Sequence, residues 1–145
     1  MKTFSEIKEG DKLYFLFDTY HILQECGNSS MGFANRNYGL VICSRTVASH
    51  SWEWHSPRSE DGTLLELRLN EPIYDDENEK QIFDYRRITK KEGDSSCIKM
   101  IMNEYYRPYA GYIFTTKEEL EKKVREITDI VESNLNKINN AIAAL

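Results

Sequence analysis

The sequence has few cysteines, few prolines and no long apolar run. It holds three cysteines and three prolines in 145 residues. An odd number of widely spaced cysteines favours reduced thiols over a disulfide framework. No apolar run approaches the ~20 residues that a membrane-spanning helix needs, and the first six residues lack the apolar stretch of a secretory signal. We therefore expect a cytoplasmic protein without a membrane segment.

Neither sign of charge dominates strongly. The formal net charge is −5 and 40% of the residues are hydrophobic, which excludes a wholly disordered or fibrous chain. A protein that binds nucleic acid through its phosphates usually carries a basic footprint, so nucleic acid is an unfavoured partner. No Pro- or Gly-rich linker divides the chain. We expect one domain over residues 1–145, with a β-rich body over 1–115 and a C-terminal helix over 116–145.

Alternating apolar residues predict strands in the body. After a Gly10-Asp11 turn, apolar side chains alternate over 13–17, and they alternate again over 65–69. The β-branched run over 38–47 predicts a central strand. We expect Pro72 to end the strand over 65–69, because proline cannot donate to a ladder. Further strands are predicted over 20–24, 81–88, 97–102 and 111–114, loops over 26–37 and 49–62, and a turn over 92–94.

A long helix is predicted after residue 115. Thr116 and Glu119 have the spacing of a capping box. An eleven-residue apolar repeat follows, which is typical of a nearly straight helix with one apolar stripe. This stripe consists of Leu120, Val124, Ile127, Val131, Leu135, Ile138, Ile142 and Leu145. We expect the stripe either to cover the β body or to pair with a second copy, which would make the protein a homodimer.

These patterns predict an α+β fold, in which a small, mostly antiparallel β-barrel or curved sheet is followed by one long C-terminal α-helix. Residues 7–14, Ile-Lys-Glu-Gly-Asp-Lys-Leu-Tyr, resemble the opening strand of SH3-like small barrels. Residues 111–120, Gly-Tyr-Ile-Phe-Thr-Thr-Lys-Glu-Glu-Leu, resemble the final strand and helix start of small bacterial and bacteriophage proteins. The resemblance implies a phage-type small barrel with an attached helix, and it carries no catalytic residues.

Both tryptophans and two of the three histidines lie in one short segment, residues 50–58. The binding interpretation is a recognition patch of Trp52, Trp54, His55 and Arg58, because aromatic faces two residues apart can stack on a ligand or partner. The alternative is that one tryptophan fills the core and the histidines are solvated. A second aromatic cluster gives four more candidate binding residues, Tyr105, Tyr106, Arg107 and Tyr109.

The sequence gives little support for metal or nucleophile chemistry. Glu53 and His55 could share a metal with His21 or a cysteine, but no zinc or calcium signature is present. Cys43 could act with a histidine as a nucleophile, but it lies in the most apolar run and is better explained as a small buried hydrophobe. There is no phosphate-binding glycine loop and no GxSxG motif. We expect no metal and no cofactor, and the sequence favours a non-catalytic protein over an enzyme without excluding the latter.

The aromatic-rich loops and the amphipathic helix favour a non-catalytic binding or accessory protein that acts through protein–protein contacts. An inhibitor or accessory factor of phage type fits this prediction. The alternative is a small-molecule or nucleotide binding protein with hydrolase activity. A third hypothesis is single-strand nucleic-acid binding by the β body, through the basic cluster over 85–91 and the tyrosines over 105–109.

Overall fold

The computed structural model describes residues 2–19, 40–54, 63–74, 81–104 and 107–145. It describes the side chains of all of these except 50–54, 63–65, 103, 104 and 107. Within these residues, six strands and two α-helices follow a short 3₁₀ turn at Phe4–Glu6. They are β1 (Lys12–Asp18), β2 (Leu40–Trp54), β3 (Thr63–Tyr74), β4 (Gln81–Thr89), α1 (Lys90–Gly93), β5 (Cys97–Glu104), β6 (Arg107–Phe114) and α2 (Lys117–Ala143).

The strands form one antiparallel sheet in the order β4-β3-β2-β1-β6-β5. The sheet curls into a half-barrel, and α2 follows it, so the predicted α+β class is confirmed, with the curved-sheet alternative correct. β2, which contains residues 40–47 of the β-branched run, lies centrally as predicted. The concave face encloses the main core, in which Phe15 stands between Cys43 of β2 and Ile113 of β6.

The alternation in β1 places side chains in two separate cores. Leu13, Phe15 and Phe17 are fully enclosed on the concave face, where Phe15 and Phe17 contact Phe83 with ring centroids 5.4 and 6.4 Å away. Leu16 points to the convex face and packs with Tyr112 under α2. The sheet is therefore buried on both faces along β1 and β6, and α2 packs on the convex face there.

Two strand predictions were too short. β2 continues to Trp54, so residues 49–54 are strand and not loop. β3 also passes through Pro72 to Tyr74. Residues 69–72 of β3 lie opposite residue 84 alone, which forms a bulge, and a bulge tolerates a proline that a regular ladder would exclude. Arg45 fixes this bulge, because its guanidinium donates to the Pro72 carbonyl over 3.3 and 3.2 Å.

The remaining predictions differ from the structure mainly at element ends. β1 and β4 match the predicted strands, and β5 and β6 each extend past their predicted bounds. The predicted turn over 92–94 contains the C-terminal end of α1, whereas Thr89 and Glu92 form a capping box at its N-terminus. The predicted strand over 20–24 and the predicted loop over 26–37 lie outside the described residues.

α2 begins where its cap predicts. The Thr116 hydroxyl accepts from the Glu119 N–H. Glu119 does not complete the box with its own side chain, since its Oε1 accepts from the Ser96 hydroxyl at 2.8 Å. That bond joins the first turn of α2 to the sheet. Neither described helix combines the length and the hydropathy needed to cross a lipid bilayer.

Candidate interaction site

The apolar stripe of α2 is covered by the sheet only along its first half. Leu120 and Ile127 are buried, and Val124 is half-buried, where the helix packs on β1 and β6. Ile127, at 2% exposure, is the last buried residue of the chain. Every residue from 128 to 145 is exposed. A 27-residue helix is about 40 Å long, so the helix extends well past the sheet.

We call residues 128–145 the overhang. The stripe continues along it, and the exposure of its side chains rises from 37% at Val131 to 61% at Ile142. Ile130 lies beside the stripe and is 36% exposed. The overhang therefore presents a row of large aliphatic side chains to solvent, which is the surface feature that most often marks a protein contact.

The rest of the overhang carries little charge. Its charged residues are Asp129, Glu132 and Lys137, whereas the covered half of α2 is dense in Lys, Arg and Glu. Of its four asparagines, Asn134 and Asn139 border the stripe, and Asn136 and Asn140 lie on the opposite side of the helix. An apolar row with a neutral, hydrogen-bonding border favours contact with another apolar surface over contact with an ionic ligand.

A shallow apolar groove continues this surface at the base of the helix. Its volume is about 380 Å³, and its apolar lining is Ile42 of β2 with Leu120 and Val124 of α2. Ile42 is 47% exposed. The sequence did not single out Ile42, because it lies in a run that is apolar on both faces of β2.

The predicted tryptophan patch falls partly on β2. Trp52 lies opposite Leu65, and Trp54 lies opposite Thr63. The extended backbone that the recognition patch requires is therefore present through residue 54. The side chains of Trp52 and Trp54 are not described, and His55 and Arg58 lie outside the described residues. Their binding role remains a prediction.

Only part of the predicted tyrosine cluster, Arg107 and Tyr109, lies on β6. Arg107 is the first residue of the strand, opposite Glu104, and Tyr109 lies opposite Met102. Tyr109 is buried in the main core, so this ring supports the sheet and presents no open face to a ligand. Tyr105 and Tyr106 lie outside the described residues.

The two arginines of the basic cluster over 85–91 are paired with carboxylates. Arg86 pairs with Glu92 at 2.7 Å, and Arg87 pairs with Glu66 at 3.4 Å. The Tyr85 hydroxyl donates to Glu66 at 3.0 Å, and the Arg68 guanidinium lies 4.3 Å from the centroid of the Tyr85 ring. These contacts hold β3, β4 and α1 together, which is a structural use of residues that a phosphate-binding surface would leave open.

The described part of the chain brings no group of three or more metal-ligating side chains together. Cys43 is half-buried against the main core. Burial raises the pKa of its thiol, and the nearby Arg45 opposes this rise. A raised pKa disfavours the thiolate that a nucleophile requires, which agrees with the interpretation of Cys43 as a small core residue.

Sequence reasoning located the stripe but not its division into a covered and an open part. That division depends on the width of the sheet under α2, which local periodicity does not report. Neither a protein-family model, nor a curated protein, nor a solved structure matches this chain.

Proposed function

We propose that this protein is a non-catalytic binding protein that acts through protein–protein contacts made by the overhang of α2. The observation that carries the proposal is the open stripe on residues 128–145, which continues the buried stripe of the same helix. A solvated helix needs no such row of aliphatic residues, because polar residues would form the helix equally well. A partner surface accounts for the row.

The size of the open stripe suits a specific contact. Leu135, Ile138 and Ile142 are each more than half exposed, so the stripe offers a continuous apolar row to the ~800 Å² that each partner buries in a standard interface. Removing apolar surface from water gains about 25 cal/mol per Å² before the entropic cost of association. The stripe can therefore supply the main favourable term of binding.

The partner we propose is a second copy of the chain. An isologous pair places the same apolar row on both sides of the contact. The two rows can meet without strong repulsion, because the overhang has only three charged residues and Asn134 and Asn139 border the stripe.

The covered half of the helix restricts how two copies can pair. From Leu120 to Ile142 the spacing of the stripe is symmetric about Val131, but Leu120 and Ile127 already lie against the chain's own sheet. A second helix cannot occupy that space. Antiparallel pairing of two overhangs centred on Ile138 avoids the covered half. It sets Val131 of one copy beside Leu145 of the other. The two β bodies then lie at opposite ends of the helix pair.

Cysteine cross-linking tests this pairing. Ile138→Cys places a thiol at the proposed two-fold axis, and Asn140→Cys places one on the far side of the same helix as the matched control. Under mild oxidation we expect a disulfide-linked dimer for Ile138→Cys and much less of it for Asn140→Cys. The wild-type protein, treated in the same way, shows how much cross-linking the native cysteines contribute. Equal cross-linking of the two variants would contradict pairing through the stripe.

A further inference from the structure

The two end strands of the sheet lie on either side of a cavity. β4 pairs with β3 and β5 pairs with β6, and no ladder joins β4 to β5 among the described residues. A cavity of about 300 Å³, which we call the slot, is lined by residues 81–86 of β4 and residues 100–102 of β5. This volume lies at the lower end of the ~300–1,000 Å³ that is usual for small-molecule sites.

Irregular pairing between β3 and β4 shapes the first part of β4, which lines the slot. Tyr74 lies opposite Gln81 and Ile73 lies opposite Phe83, which leaves Ile82 as an extra residue. Such irregularities bend a strand and increase its twist. The shape of the slot is therefore set by the sheet itself.

The slot has an apolar wall. Phe83 and Met100 are buried in the main core, and Ile82 and Met102 are half-buried against that core. The Phe83 ring lies 5.4 Å from the Phe15 ring, centroid to centroid, which restricts its movement. Methionine side chains adapt easily to different neighbours. The wall therefore combines one fixed ring with two adaptable side chains, and it suits an alkyl chain.

Arg86 supplies a fixed polar group to the slot. Its Nη2 donates to Glu92 Oε2 at 2.7 Å, and the Oε1 of the same carboxylate accepts from the Thr89 N–H at 3.1 Å. The guanidinium is thus held by an anchored carboxylate. The Arg86 Nε–H is buried and has no acceptor among the described residues. A buried donor without an acceptor is costly, so an oxygen atom of a ligand would relieve this cost.

The charges around the slot select among possible ligands. Glu92 already compensates the Arg86 guanidinium, and the exposed Asp84 adds a second carboxylate at the border. An anionic ligand would meet two carboxylates for one guanidinium, which disfavours it. An alkylammonium ligand would bring no acceptor for the Arg86 Nε–H. An uncharged carbonyl oxygen accepts this hydrogen bond without either disadvantage.

We propose that the slot binds a small uncharged molecule that joins an alkyl chain to a carbonyl group, as an aliphatic amide does. The alkyl chain lies on Phe83, Met100 and Met102, and the carbonyl oxygen accepts from the Arg86 Nε–H. The slot has room for about ten non-hydrogen atoms at the ~30 Å³ that a water molecule occupies. This site is separate from the overhang, and the proposal does not depend on self-association.

Three matched ligands test the proposal with the full-length protein. The probes are octanamide, octanoate and octylamine, which share one chain and differ in the charge of the head group at neutral pH. Carbon-13 labels on the methionine methyl groups report binding, because Met100 and Met102 both line the slot. We expect octanamide to shift both methyl signals in a saturable way and to bind about tenfold more tightly than the two charged ligands.

Protein variants separate the slot from the other apolar surfaces. Ile82→Asp should weaken octanamide binding about tenfold or more, whereas Ile42→Asp, outside the slot, should change it less than about twofold. Arg86→Lys keeps a cation beside Glu92 but removes the Nε–H. This variant should reduce the advantage of octanamide over octylamine to about twofold or less.

The overhang variant Ile138→Asp distinguishes this proposal from the proposed self-association. Octanamide should still shift the Met100 and Met102 signals of this variant, whatever its assembly state. Three results would overturn the proposal: no saturable shift of these two signals, equal affinity for the three ligands, or loss of octanamide binding in Ile138→Asp.

Discussion

Gly111 allows two strands and a core ring to come close together. It lies opposite Phe17 of β1 on one side and Met100 of β5 on the other. A Cβ atom at this position would stand 2.9 Å from two atoms of the Phe17 ring and 3.2 Å from Met102. Phe17 is fully enclosed, so its ring has little space to move away.

Gly111→Ala should therefore destabilise the protein by overpacking, by about 1–3 kcal/mol. Urea unfolding followed by circular dichroism measures the change. Gly10→Ala is an informative comparison, because a Cβ there meets no atom within 4 Å and the strain comes from a φ of +91°. We expect that variant to lose about 1 kcal/mol. An unchanged urea midpoint for Gly111→Ala would show that the core around Phe17 is packed more loosely than these distances indicate.

Asp11 links the first turn to the chain terminus. The Lys2 ammonium donates to its carboxylate at 2.7 Å, and the Lys8 N–H donates at 2.9 Å. These two bonds lower the pKa of Asp11 below its ordinary value of 3.8. A carboxyl whose pKa falls on folding stabilises the native state above its unfolded pKa, and this contribution is lost as the pH falls through the folded pKa.

Asp11→Asn should accordingly cost about 0.5–1 kcal/mol near neutral pH, with the loss shrinking below about pH 4. Denaturant midpoints for the variant and the wild type at several pH values measure this. Glu9→Gln, in the same exposed turn, serves as the control for replacing a carboxylate with an amide. If the stability difference between Asp11→Asn and the wild type stayed constant down to strongly acidic pH, the two hydrogen bonds assigned to the Asp11 carboxylate would be rejected.

At the scale of elements, the single apolar stripe of α2 has two roles. Its first half closes the convex face of the sheet, and its second half presents the same stripe to solvent. Ile127 marks the boundary, since it is the last buried residue and packs in the cluster that contains Leu16 and Tyr112.

Ile127→Asp should place an unpaired carboxylate in this cluster and lower the free energy of unfolding by several kcal/mol, about 3 or more. Asn136→Asp, on the exposed half of the same helix, should change it by less than about 0.5 kcal/mol. Thermal melts of both variants at one protein concentration test the pair. A melting temperature for Ile127→Asp equal to that of the wild type would refute the packing of α2 on the sheet.

Local patterns predicted most elements because local physics determines them. Period-two alternation identified β1, and the Thr116 cap identified the start of α2. The course of β3 through Pro72 was not predictable in the same way, because the bulge that tolerates the proline is held by Arg45, a residue distant in sequence. The residue at which α2 leaves the sheet escaped prediction for a related reason. It depends on the curl and width of the whole sheet.

At the scale of the whole molecule, the protein consists of a curled sheet with α2 over its convex face and the overhang extending beyond the sheet. The overhang presents a row of aliphatic side chains. Such a row suits contact with a second helix.

Light scattering of the full-length protein across micromolar concentrations tests the central claim most directly. The account predicts a mass near twice 17.0 kDa, reduced to the monomer by Ile138→Asp and unaffected by Asn140→Asp on the far side of the helix. Removing the residues after Val131 should also give the monomer. A wild-type mass that stays at 17.0 kDa on concentration would contradict pairing through the overhang.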